Sequence, residues 1–136
     1  MKSILLFFLL IGTAFNCKTL STPKADVSIQ SAIYEGMALT DALYISISQS
    51  NDKSYSPFVS KYKQVDSIID AILAKDKVRL HGEDLVKMDE NIQNLFAKYE
   101  EEHSAAESIS SSTAIIYSEY MKAVWKPRYN AEMRLK

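Results

Sequence analysis

Glycine, proline and cysteine are scarce, and each shortage excludes a class of protein. The 136 residues include 3 Gly, 3 Pro and 1 Cys. Glycine-rich phosphate loops and dinucleotide fingerprints need several glycines within a short span, so those nucleotide-binding folds are excluded. A single Cys forms no internal disulfide, and thiolate metal sites need more than one. We therefore expect no cofactor, and the formal net charge of −1 indicates no nucleic-acid partner.

The longest apolar run covers residues 4–15 and follows the positively charged Lys2. It is shorter than the roughly 20 apolar residues that a membrane-spanning helix needs, and its length is typical of the hydrophobic region of a signal peptide. Leu and Phe fill residues 5–10, which leaves no polar face to meet water. The run therefore predicts an export signal and not a buried helix.

The only Cys, Cys17, directly follows Ala14, Phe15 and Asn16. This arrangement resembles a bacterial lipoprotein signal peptide with a relaxed lipobox, similar to those of spirochaete lipoproteins. In that family the Cys is diacylated and becomes the first residue after cleavage. The usual box has Leu three places before the Cys and Gly or Ala directly before it, where this chain has Ala14 and Asn16. The resemblance covers residues 1–17 and implies a signal peptide at 1–16, a tether at 17–22 and a helical domain at 23–136.

Two processing routes follow from these residues. Acyl chains on Cys17 would hold the protein on a bilayer through their buried methylenes. In enterobacterial lipoproteins an Asp after the Cys signals inner-membrane retention, so Lys18 favours the outer membrane. Alternatively, Gly12-Thr13-Ala14 permits ordinary cleavage after Ala14 and leaves a soluble secreted protein with a free thiol. We adopt the lipoprotein interpretation because the chain has no other Cys.

The rest of the chain shows the periodicity of amphipathic helices. Thr22-Pro23 and Ser56-Pro57 are typical helix starts, and Gly82 is typical of a left-handed helix end. The sequence predicts an all-α fold, an up-down bundle of three or four helices. The predicted core consists of Ile33, Met37, Leu43, Ile47, Val65, Ile69, Ile72, Leu85, Met88, Ile92, Leu95, Ile116 and Tyr120.

The last part of the bundle is predicted as one long or kinked helix. No Gly or Pro lies between Glu83 and Lys126, and a chain reversal usually leaves one behind. A break within residues 104–112, which are rich in Ser, is the alternative. Pro127 should end or kink the helix. The coiled-coil-like steps from Leu85 to Tyr99 also predict contact between copies of the chain.

Only one arrangement offers metal-ligand spacing. Glu100 and His103 lie on one helical face with the Glu-x-x-His spacing of di-iron bundles, but the second motif that such sites need is missing. We interpret this acidic run as a solvated helix face and predict no metal site. Ser60 and Lys63 match Ser-x-x-Lys without its companion motifs. We therefore predict no enzymatic activity.

The C-terminal segment interleaves aromatic and basic residues. Trp125, Arg128 and Tyr129 could contact a partner or a membrane interface, or form a frayed end. The acidic stretch 83–107 and the basic stretch 117–136 could complement each other, although we interpret them as surface charge. We expect an envelope lipoprotein that acts as a non-enzymatic helical interaction module for a protein partner. The alternative is a soluble secreted or periplasmic protein that binds a small apolar ligand between helices.

Overall fold

Residues 21–135 are described by a computed structural model, and they form four helices and no strand. The predicted signal peptide and Cys17 lie outside this range. A 3-10 turn, Ser56–Phe58, precedes the second helix. The all-α prediction is confirmed, with four helices and not three: α1 Val27–Gln49, α2 Val59–Lys77, α3 Glu83–Ala105 and α4 Ser111–Met133.

Each helix packs against the next, and α4 closes the arrangement by packing against α1. The Lys75 ammonium near the end of α2 donates to the Ser28 hydroxyl at the start of α1, at 2.7 Å. The Ser111 hydroxyl at the start of α4 donates to the carbonyl of Ser48 at the end of α1, also at 2.7 Å. Neighbours of α1 therefore run antiparallel to it, around one shared core.

The apolar faces of the first three helices are largely as predicted. Most of the predicted core is buried, while Met37, Met88 and Leu95 are half-buried. Ile116 and Tyr120 are exposed, so their placement in the core was wrong. Helix α4 instead buries Ala114, Tyr117, Met121 and Trp125. The prediction continued the apolar spacing of α3 into α4. The break between the two helices changes which residues of α4 face the core.

The prediction of one long helix over 83–126 was wrong, because the chain reverses between α3 and α4. Ala106 is extended, and Ser110 caps α4 by accepting from the Thr113 amide at 3.0 Å. The loop is held by its neighbours: the Ile109 amide donates to the Lys53 carbonyl at 3.3 Å. These tertiary contacts fix a reversal that contains no Gly, Pro or Asn.

Helix α4 continues past Pro127 to Met133, so of the two effects predicted for Pro127, an end or a kink, the end is contradicted. Proline removes one backbone donor and crowds the preceding turn. The next turns nevertheless stay helical because Arg128 and Glu132 are both buried and joined to each other by an ion pair of 2.9 Å.

Two other helix ends differ from their predictions. Asp26, and not Thr22, caps α1, with its carboxylate accepting from the Ser28 and Ile29 amides. His81, and not Gly82, takes the left-handed conformation after α2, with φ 61°. Gly82 is required for another reason: a Cβ there would lie 2.7 Å from the carbonyl oxygen of Asp76.

Candidate functional site

A mostly apolar groove with a volume of about 620 Å³ lies between α1 and α4. Its floor consists of Met37, Met121 and the ring of Trp125. Ligand sites in proteins are commonly concave, mostly apolar and several hundred Å³ in volume. The groove can therefore receive an apolar group of small-molecule size. Its rim and ends are lined by Tyr34, Ala38, Thr40, Asp41, Ser118, Lys122, Lys126, Tyr129 and Asn130.

The close approach of α1 and α4 beside the groove depends on Gly36. A Cβ at this position would lie 2.7 Å from Cη2 of Trp125, closer than van der Waals contact allows. The indole therefore packs directly on the backbone of α1. Thr40, one turn later, is buried and donates its hydroxyl to the Gly36 carbonyl at 2.7 Å. The contact between Trp125 and Gly36 was not predicted from the sequence.

One end of the groove is closed by polar contacts between the two helices. The Asp41 carboxylate accepts from the Ser118 hydroxyl at 2.6 Å and from the Lys122 ammonium at 3.0 Å. Partial burial alone would raise the pKa of Asp41, but these two donors outweigh it and lower the pKa below its usual range. At the other end lie Tyr34 and Lys126, both exposed.

The predicted partner-binding residues do not form one exposed segment. Trp125 retains 2% of its surface and Arg128 retains none. Only Tyr129 is partly accessible, at the groove. Trp125 and Arg128 are therefore packed inside the bundle, and contact of these residues with a partner stays a prediction. The helical spacing of Trp125, Arg128 and Tyr129 places them on one face of α4, and that face is turned towards the rest of the bundle.

Arg128 lies in a buried cluster of charges. Its guanidinium donates to Asp89 Oδ1 at 2.7 Å, to Glu132 Oε2 at 2.9 Å and to Asp76. A second guanidinium, that of Arg79, donates to Asp76 at 3.0 Å and to Glu132 at 2.8 Å. The cluster joins α2, α3 and α4. The acidic and basic stretches therefore complement each other here, and the interpretation of all of them as surface charge was wrong.

The carboxyl of Asp89 is the least stabilised member of this cluster. Burial raises its pKa to about 7, against the opposing effect of the Arg128 charge. Its Oδ2 is buried and has no hydrogen-bond partner within residues 21–135. A proton on Asp89 would leave two guanidinium groups facing two carboxylates. Burial also acts to raise the pKa of Glu132, but its bonds to Arg79 and Arg128 outweigh it and lower that pKa.

Because the folded bundle keeps a proton on Asp89, its free energy of unfolding should fall as the pH rises from about 4 to about 7. In that range the folded state holds a proton that the unfolded chain, with a carboxyl pKa of 3.8, has released. Each such proton lowers the free energy of unfolding by about 1.4 kcal/mol per pH unit. Urea unfolding at several pH values, for the unchanged protein and for Asp89→Asn, measures this.

The Asp89→Asn variant should show a distinctly shallower decline. Asp66, whose pKa burial and the neighbouring Glu100 raise to about 6, contributes in the same direction and remains in both proteins. Superimposable pH profiles for the two proteins would contradict the role assigned to Asp89.

The Glu-x-x-His pair does not converge on one site. His103 is buried, and both of its ring nitrogens are engaged: Nε2 donates to the Lys53 carbonyl and Nδ1 accepts from the Tyr62 hydroxyl, each at 2.9 Å. The carbonyl only accepts, so this tautomer follows. Glu100 instead accepts from Tyr55 at 2.5 Å. The solvated-face interpretation was therefore wrong for His103, which joins the core. Within the described range, no group of three or more His, Asp or Glu side chains is placed to hold a metal ion.

The seam that predicted contact between copies is used inside the bundle. Leu85, Ile92 and Tyr99 are buried against other helices of the same chain, and the Tyr99 ring stacks on that of Tyr117 at 4.0 Å.

None of the four helices, over residues 21–135, is long and apolar enough to cross a membrane. Comparison of the chain with protein-family models, with curated proteins and with solved structures finds no match.

Proposed function

We propose that this chain is an exported lipoprotein, anchored by acyl chains on Cys17, whose helical bundle acts as a non-enzymatic interaction module for a protein partner in the cell envelope. The observation that carries the proposal is the position of Cys17, the only Cys, directly after an apolar run too short to span a membrane. Lys18 favours the outer membrane, and the protein is secreted if Cys17 is not acylated.

The buried polar groups of the bundle bond to one another, and this supports a non-enzymatic interaction role. The buried charges around Arg128 join three helices, and the nitrogens of His103 are engaged by Lys53 and Tyr62. These groups therefore serve packing. The groove between α1 and α4 offers apolar surface for contact with a partner, and its accessible rim includes Tyr34 and Tyr129.

The decisive experiment is the intact mass of the mature protein purified from the membranes of a bacterial host with native export. A mass that matches residues 17–136 plus a diacylglyceryl group, absent from a Cys17→Ser variant, is expected. A mass that matches residues 15–136 with a free thiol would contradict the proposal, because it shows ordinary cleavage after Ala14.

A second candidate function is the binding of a small apolar ligand in the groove. It is favoured by the volume of about 620 Å³ and by the apolar floor. Trp125, the only Trp, lines the groove, so brominated fatty acids that enter should quench its fluorescence. Ala38→Phe at the rim should block this quenching. Ala42→Phe, on an exposed part of α1 outside the groove, is the matched control. Equal quenching in both variants would contradict binding in the groove.

A further inference from the structure

The end of the bundle at which the N-terminal segment enters exposes the most accessible apolar side chains. Val78 is 87% exposed, Val27 79% and Leu80 76%, the three highest values among the large apolar residues described. Met133, in the last turn of α4, is exposed as well. We call this surface, formed by Val27, Val78, Leu80 and Met133, the tether end. Apolar side chains so exposed and so close together usually mark a contact surface.

Hydrogen bonds hold the four elements of the tether end together. Arg79, in the turn between Val78 and Leu80, donates to Glu132 near the end of α4 at 2.8 Å. The same guanidinium donates to the carbonyl of Lys24 at 2.9 Å. Helix α2 reaches the start of α1 through the bond from Lys75 to Ser28. The exposed apolar residues therefore share one end of the bundle and are not scattered over it.

The length of chain between Cys17 and this surface limits how far the two can separate. Ser21 is bonded through its hydroxyl to His81 Nε2, at 2.8 Å, in the turn after α2. Cys17 lies four residues before Ser21, and four residues span at most about 14 Å. An acylated Cys17 would therefore keep Ser21 within about 14 Å of the lipidated residue, with the turn that carries Val78 and Leu80 bonded beside it.

The charges around the tether end favour an anionic surface. Exposed bases on its rim are Lys24, Lys75, Lys77 and Arg134. The exposed acids of the same region are Glu83 and Asp84, and Asp84 is paired with Lys87 at 3.1 Å. Glu132 and Asp76 are neutralised inside the bundle by Arg79 and Arg128, and the Asp26 carboxylate caps α1. Basic groups beside exposed apolar side chains are the combination that binds the interface of an anionic bilayer.

We propose that the tether end is a membrane-contact surface, in which Val78 and Leu80 enter the headgroup region of an anionic bilayer and the bases of the rim face lipid phosphates. The inference rests on the acylation of Cys17 proposed above and adds an orientation to it. The bundle stands with this end on the membrane, and the start of α4, with Ile115 and Ile116, points away. The groove between α1 and α4 then opens to the side, accessible to a partner.

The experiment places a second Trp at either end of the full-length lipidated protein. Leu80→Trp marks the tether end, and Ile116→Trp, also at an exposed apolar position, is the matched control. Both proteins are reconstituted in vesicles of phosphatidylethanolamine and phosphatidylglycerol that contain a lipid with a nitroxide near the top of its acyl chain. The fluorescence of the unchanged lipidated protein, whose only Trp is Trp125, is subtracted.

Quenching of Leu80→Trp should exceed that of Ile116→Trp about threefold, with a blue shift of its emission, because interfacial side chains lie about 5–10 Å deep. The intact mass of each sample is recorded first. Equal quenching in protein of acylated mass overturns the membrane-contact surface and leaves the lipoprotein proposal intact. A mass without lipid overturns both proposals. The two failures are thus distinguishable.

Discussion

Replacement of Arg128 by methionine should lower the free energy of unfolding by about 3–5 kcal/mol, a large share of the stability of a domain of this size. The guanidinium is fully buried and is the only group that contacts all three carboxylates of the cluster. Without it, Asp76 and Glu132 retain Arg79, but Asp89 loses its ion pair. Methionine fills similar space, so the loss of stability measures the removed charge more than the removed side-chain volume.

Urea unfolding of the Cys17→Ser protein, followed by circular dichroism, measures this effect without lipid. Arg134→Met is the matched control, because Arg134 is exposed at the end of the same helix and surface substitutions usually change stability by less than about 0.5 kcal/mol. Equal destabilisation by the two substitutions would refute the role assigned to the buried guanidinium.

A second substitution tests whether unpaired charge is the cause. Asp89→Leu in the Arg128→Met background removes the carboxylate that was left without a partner, so part of the lost stability should return. The deficit of Arg128→Met alone should also grow as the pH rises above about 7, since Asp89, whose pKa is about 7 even beside Arg128, then loses its proton and leaves an unpaired buried charge. A deficit that stays constant with pH would assign the effect to packing.

The sequence predicted those parts of the fold that depend on local periodicity. The face formed by Ile33, Leu43 and Ile47 on α1, and that formed by Val65, Ile69 and Ile72 on α2, are buried as predicted. Apolar residues at helical spacing lie on one face of a helix, and the free energy is lowest when that face is buried in the core. The end of α1 at Gln49, directly before the polar residues 50–54, follows from local preferences as well.

The reversal between α3 and α4, which lies within the alternative break predicted at residues 104–112, depends on contacts that are remote in sequence, so local analysis favoured a continuous helix instead. The Ile109 amide finds its acceptor at Lys53, and the Ser111 hydroxyl finds its acceptor at Ser48. Because the continuous helix was preferred, the predicted face of α4 was out of phase by one residue. Exposed Ile116 and buried Tyr117 are the direct consequence.

The buried charge cluster and the groove were also beyond local analysis. Arginine is almost never fully buried unless it is paired, and the partners of Arg128 are distributed over α2, α3 and α4. The acidic and basic stretches indicated that such pairing was possible but not which residues would meet. Likewise, only the fold shows that Trp125 occupies the space beside Gly36.

Replacement of Trp125 by alanine should destabilise the bundle by about 3–5 kcal/mol, as expected when a large aromatic side chain is removed from a core. Trp125 retains 2% of its surface and packs against α1 at Gly36. Tyr129→Ala, at the half-buried edge of the groove, should have a clearly smaller effect. Thermal and urea unfolding measure both. A folded, equally stable Trp125→Ala protein would refute the packing role assigned to this residue.

The contact between Trp125 and Gly36 predicts that substitutions at these two positions change the stability of the bundle non-additively. Gly36→Ala gains about 1 kcal/mol of helix propensity, but its Cβ would lie 2.7 Å from the indole Cη2 and 3.2 Å from Ile68 Cγ2, so we expect a net loss of about 1–3 kcal/mol. Trp125→Phe, itself destabilising, vacates the space that the new methyl group needs. Gly36→Ala should therefore be much less harmful in the Trp125→Phe background than alone. Additive losses in this double-mutant cycle would show that the indole is not what requires glycine at position 36.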